Sequence, residues 1–193
     1  MLSFIGFILL HCNMAKPKTG YFTLATEVTL TAAAADGSRF TGSIDLGSYV
    51  DVGDKQAIGI SEVSYIWQNG SNNDSNPESM LAANGSLGIQ VTDQNPNALF
   101  LRATDPSLVA SGHLNIDVAN NITSNDSDIF PDNFGSAAEQ KNIISDTLFL
   151  VAGNDGAAVG GASVHCTVLI RMRIVTLTAK DYYAIAIKAS ATN

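Results

Sequence analysis

The chain has 193 residues, enough for one domain with a sizeable core, and 46% of them are hydrophobic. Only 15% are charged, where a globular protein usually has roughly 25%; Ser, Thr, Asn and Gly fill the difference, a surface that suits subunits lying against neighbours. A net charge of −8 argues against a dedicated nucleic-acid-binding module, and the two cysteines, Cys12 and Cys166, make no disulfide framework.

Met1 to Leu10 is apolar but too short to span a bilayer. A signal-peptide core is one reading, although no Lys or Arg precedes it and no A-x-A-like site follows. Leu9-Leu10-His11-Cys12 is a poor lipoprotein box, because His replaces the small residue expected before the cysteine. The other reading is an over-extended frame with the native start at Met14, and this is the expectation. Residues 1–19 then form an extension ahead of a single domain over residues 20–193.

Tyr21 to Ala33 predicts the opening strand, with Phe22, Leu24, Val28 and Leu30 on one side and Thr23, Glu27, Thr29 and Thr31 on the other. Asp36-Gly37 turns the chain into a second strand over Arg39 to Leu46. From Lys55 to Trp67 the apolar phase changes: Ile58 and Ile60 share one parity, then Val63, Tyr65 and Trp67 take the other. A bulge near Ser61-Glu62 accounts for that change.

A polar loop over Asn69 to Asn76 leads to Asn76 as an N-cap, Pro77 as a first helical residue and Asn84-Gly85 as a stop, which predicts one short helix. Leu87, Ile89 and Val91 mark the next strand, Ala98 to Ala103 a further one, and Leu114, Ile116 and Val118 another. Asn120 to Asn142 is a long Asn- and Asp-rich excursion, in which Ser136 to Glu139 has capping-box spacing for a second short helix.

Thr147 to Val151 is apolar on both parities and is expected to be covered on both faces. Glycine-rich turns then lead into the longest strand, Ser163 to Leu177. Along it Val164, Cys166, Val168, Ile170, Met172 and Ile174 share the apolar face, while His165, Thr167, Arg171 and Arg173 share the polar one. Thr178 to Asp181 has capping-box spacing, and Tyr182, Ile185, Ala186 and Ala189 follow at helical intervals, so a terminal helix is expected.

The predicted class is all-β: an eight-stranded antiparallel jelly-roll sandwich, with strands beginning near residues 21, 39, 55, 86, 98, 112, 146 and 163. Two or three short helices lie in its loops and at the C-terminus. An immunoglobulin-like sandwich prefers shorter, more regular spacing. No repeat of blade or solenoid period is present.

The order of features resembles the single jelly-roll capsid proteins of small icosahedral viruses, most closely those known from environmental, marine-type virus genomes. The strings that carry the resemblance are Gly42-Ser-Ile-Asp-Leu-Gly-Ser-Tyr-Val50 leading to Ile58-Gly-Ile-Ser-Glu-Val63, then Ser145-Asp-Thr-Leu-Phe-Leu150, and Val168-Leu-Ile-Arg-Met-Arg-Ile174 before a short tail. It covers most of the chain from Gly20 onward, as a layout. The resemblance implies a major capsid subunit in the virion, self-associating into an icosahedral shell, with other capsid proteins as further partners. The chain departs from a common capsid pattern in lacking an Arg/Lys-rich N-terminal arm. Lys16 and Lys18 alone neutralise little of a packaged genome, so direct nucleic-acid binding is expected to be weak or absent.

Chemistry-bearing residues are few. His11, His113 and His165 accompany no G-x-S-x-G elbow or comparable string, and Cys and His have no zinc-ligand spacing, so no enzyme and no resident cofactor are expected. Asp126, Asp128 and Asp132 lie in a loop able to offer oxygen ligands to Ca²⁺, though it lacks the Gly and distal Glu of an EF-hand loop. A plain polar loop with Asx-type turns is the competing reading.

Arg171 and Arg173 share a strand face and are candidates for contact with carboxylates or phosphates of a partner, against a merely solvated sheet face. Sequons at Asn69, Asn73, Asn84, Asn121 and Asn125 mark expected surface loops. The alternative function is a secreted, extracellular lectin-like sandwich that stacks carbohydrate on Trp67 or Tyr65.

Overall fold

A computed structural model describes residues 15–71, 76–126 and 140–190. Among these residues ten strands and one α-helix follow in chain order: β1 (Lys16–Pro17), β2 (Phe22–Leu30), β3 (Arg39–Asp45), β4 (Gln56–Asn69), β5 (Gly85–Thr92), β6 (Leu108–Asp117), β7 (Ile122–Asp126), β8 (Lys141–Ile143), β9 (Thr147–Asp155), β10 (Val164–Thr176) and α1 (Ala179–Ser190).

The strands form two five-stranded sheets. In the first, β1 and β2 lie one after the other along one side of β10, β4 lies on its other side, and β8 lies beyond β4. The second runs β3-β9-β5-β6-β7. All pairings are antiparallel.

Set aside the two-residue β1 and the edge strand β7, and eight strands remain. The first of these pairs with the last (β2–β10), the second with the seventh (β3–β9), the third with the sixth (β4–β8), and the fourth with the fifth (β5–β6). This is one long hairpin folded across two sheets, and it makes the sandwich a jelly roll.

The core lies between the sheets and follows the predicted alternation. Val28 and Leu30 of β2, Ile58 and Ile60 of β4, and Val168, Ile170 and Met172 of β10 meet Leu87 and Ile89 of β5 and Leu148 and Leu150 of β9. Each fully buried aliphatic side chain contributes about 2 kcal/mol. The change of phase in β4 is a bulge. Arg171 faces Glu62 and Met172 faces Ile60, so Ser61 is the extra residue, and its hydroxyl donates to the Arg171 carbonyl at 3.1 Å. Along Thr147 to Val151, Leu148 and Leu150 enter the core and Val151 on the other parity is buried too, while Thr147 and Phe149 are half-buried.

Three expectations are corrected. Ala98 to Ala103 is not a strand. Asn97 and Ala98 both have positive φ, 53° and 59°, which breaks any extended run. The segment instead lies over the second sheet, where the Gln90 side chain accepts from Leu101 N at 2.7 Å and donates to Leu101 O at 2.9 Å, imitating a neighbouring strand. Phe100 rests against Gly88 beneath the Arg39 guanidinium, 4.3 Å from its ring centre.

The strand that completes the eight is instead the short β8, whose Lys141 and Asn142 end the Asn- and Asp-rich excursion and whose Ile143 lies just beyond it. The helix expected after Asn76 is a single 3-10 turn over Pro77–Met80; Asn76 is left-handed and its side chain does not cap. Beyond that turn, Leu81 bridges to Val159 and Met80 O accepts from Gly160 N, so backbone pairing captures the chain before a second turn forms.

The terminal helix is present. Thr178 Oγ1 donates to Asp181 Oδ2 at 2.7 Å and accepts from Asp181 N at 3.2 Å, a working capping pair. Tyr182 and Ile185 of α1 pack with Ala57, Val175 and Leu177 into a second, smaller cluster at one end of the first sheet. No helix among the described residues is long and apolar enough to cross a membrane. The helix expected at Ser136 to Glu139 lies outside the described residues.

Candidate functional site on the outer face of the first sheet

Strand geometry sends alternate side chains of β2, β4 and β10 away from the core. Thr23, Ala25, Glu27 and Thr29 of β2 lie beside His165, Thr167, Leu169 and Arg171 of β10, and these face Gln68, Ile66, Ser64 and Glu62 of β4. The result is a broad face of small, polar and aliphatic groups, with Ile66 44% exposed and only a few charges.

At one end of this face His165 Nδ1 lies 2.9 Å from Glu27 Oε1 and 3.0 Å from Thr29 Oγ1, and Thr29 donates to the same Glu27 oxygen at 3.1 Å. The hydrogen bond from His165 holds the Glu27 carboxyl below the usual carboxylate range.

At the other end stand the two arginines singled out from the sequence. Arg171 is exposed and loosely paired with Glu62 at 3.8 Å. Arg173 is not on a solvated face: it is 8% exposed. Its Nε donates to Gln140 Oε1 at 2.9 Å, and Gln140 Nε2 donates to Asn142 Oδ1 at 2.8 Å. Gly59 makes room for this arrangement, because a Cβ there would collide with the Gln140 amide.

Tyr21, just before β2, lies over both cations, its ring centre 4.9 Å from the Arg171 guanidinium carbon and 4.8 Å from that of Arg173. Arg173 Nη2 is buried and has no hydrogen-bond partner among the described residues.

The structure thus brings Arg171 and Arg173 together and adds Tyr21, Gln140 and Gly59, which the sequence reading missed. A glycine inside an otherwise apolar strand is a sign of close approach, and Gly59 was the available signal. Of the Ca²⁺ candidates, Asp128 and Asp132 lie outside the described residues, and Asp126 ends β7 opposite His113. Tyr65 and Trp67, the platform of the lectin-like alternative, pack against the core between the sheets instead of facing outward. Cys166 is a buried free thiol whose pKa burial pushes far up.

No family model matches the chain, and no curated protein does. Among solved structures it is similar to the VP1 protein of Trichodysplasia spinulosa-associated polyomavirus in complex with GM1 oligosaccharide, at 9% identity and TM-score 0.42, over 86% of this chain and 99% of that one. It is similar to the Desmodium yellow mottle tymovirus structure at 9% identity and TM-score 0.32, over 83% of this chain and 90% of that one. Tomato aspermy virus gives 12% identity and TM-score 0.32, over 86% and 85%. Overlaps this loose carry no argument about what the chain does; the jelly roll stands on its own strand pairing.

Proposed function

We propose that the chain is a viral structural protein, the major capsid subunit of a small icosahedral virus, acting by self-assembly and not by catalysis. Jelly rolls serve capsids, lectins and other roles, so the fold alone does not choose. The observation that carries the reading is the outer face of the first sheet, where Thr, Ser, Ala, Leu and Ile outnumber charges over three adjacent strands. A face of this composition suits burial between neighbouring subunits, where charge is depleted. The layout of strands resembling capsid proteins points the same way. The lectin-like alternative loses its aromatic platform, because Tyr65 and Trp67 are committed to the core.

Subunits that contact several neighbours close a surface by symmetry, and many weak contacts make the whole shell stable. Purified protein starting at Met14 is expected to form uniform spherical particles, seen by negative-stain microscopy and in the void volume of a sizing column. Monomers throughout the range from about pH 5 to pH 8, with and without Ca²⁺, overturn the proposal. Glycan binding by those monomers would establish the lectin-like reading in its place.

A further inference from the structure

Arg173 presents an energetic problem that the described residues do not solve. A guanidinium stays charged at any accessible pH, and burying a charge is costly without a counter-charge. Here the side chain is 8% exposed, its Nη2 is buried without a hydrogen-bond partner among the described residues, and no described carboxylate lies within ion-pair distance. The group is nevertheless held in a set orientation. Gln140 fixes its Nε, Asn142 fixes Gln140, and Gly59 supplies the space. Tyr21, 40% exposed, lies over both Arg173 and Arg171 and gathers two cations under one ring.

We propose that Tyr21, Arg171 and Arg173 form an oxyanion receptor that takes a side-chain carboxylate from a second copy of this chain. The paired oxygens of a carboxylate match the planar fork of a guanidinium. Arg171 and the edge of Tyr21 are the accessible part; for the carboxylate to reach Arg173 Nη2 the ring, which stands after Gly20 and outside β2, has to turn aside. The source follows from charge complementarity: the chain carries 18 Asp and Glu against 10 Lys and Arg, so each copy brings surplus carboxylate to this basic island on its neighbour. The choice of a second copy rests on the capsid reading; the anion site does not.

The full chain, kept dilute enough to remain unassembled, is titrated with acetate and with phosphate against chloride at constant ionic strength. Acetate is expected to give a saturable shift of the Arg173 Nε–H NMR signal and a rise in Tm of about 3 °C near saturation. Arg173→Met is expected to keep or raise Tm in chloride, because it removes a buried charge that has no counter-charge among the described residues, and to abolish the acetate response. Tyr21→Leu, which removes the ring over both guanidinium groups, is expected to weaken that response.

An Arg173→Met protein destabilised equally in every buffer shows a merely structural arginine and overturns the site. Saturation by phosphate with none by acetate overturns the carboxylate assignment. In the assembly arm, Arg171→Gln is expected to lower particle yield about tenfold at fixed concentration. Undiminished particles together with no acetate response sink the receptor and leave the capsid reading standing. An intact acetate response without particles sinks the second copy as the source.

Discussion

Glu27, Thr29 and His165 meet on the outer face through hydrogen bonds of 2.9–3.1 Å, with the Glu27 side chain 49% exposed. The His165 hydrogen bond is the largest cause of a carboxyl pKa below its ordinary 4.5. A lowered carboxylate pKa means that the pair adds stability above the ordinary value and loses it as pH falls through the folded value. Exposure screens the effect, which is expected to be about 0.3 kcal/mol. Glu27→Gln is therefore expected to melt slightly below the wild type above about pH 5, and the two curves should converge in acid, once the pH has fallen through the lowered folded value. Thermal melts across that range check it; a gap that persists or widens in acid contradicts the sign.

Among the elements, β4 carries the clearest instruction. Ile58 and Ile60 face inward on one parity, Val63, Tyr65 and Trp67 on the other, and Ser61 absorbs the difference. Deleting Ser61 leaves Ile60, Glu62 and Val63 in plain alternation against Met172, Arg171 and Ile170, so the fold is expected to survive. The loss is the Ser61–Arg171 hydrogen bond and some local twist, about 1 kcal/mol. Inserting one Ala after Val63 has the opposite consequence: it turns Tyr65 and Trp67 out of the core and is expected to cost about 3 kcal/mol or more. Circular dichroism melts of the two variants side by side decide it. Equal destabilisation would mean that the bulge is not what sets the inward faces.

Over the whole molecule, the nested pairing makes the last strand indispensable. β10 is the partner of both β2 and β4, over almost the full length of each. A chain ending at Ser163 leaves those two strands without a common neighbour and opens the layer that holds Val28, Leu30, Ile58 and Ile60. Such a truncation is expected to show no cooperative thermal transition in calorimetry and to bind a hydrophobic dye, whereas the full chain unfolds in one step. A cooperative transition in the truncated chain would show that β10 is an addition to an already stable sandwich. The pairing of first strand with last also places most contacts far apart in sequence, which favours slow folding.

Side-chain direction along a strand is a local matter, because successive residues point to opposite faces whatever lies beyond them. That is why the inward sets of β2 and β10, the bulge at Ser61 and the capping pair Thr178–Asp181 were all legible in the chain. What covers a face is a different question, answered by segments distant in sequence. Arg173 and Val175 stand on the parity that reads as polar, yet Gln140 and Tyr21 close over the first while α1 closes over the second. Ala98 to Ala103 has the composition of a strand but is held flat by the Gln90 side chain, and β8 lacks that composition but pairs with β4 all the same. Periodicity sets direction through covalent geometry, and burial and partnership are set only when remote backbone arrives to compete with water.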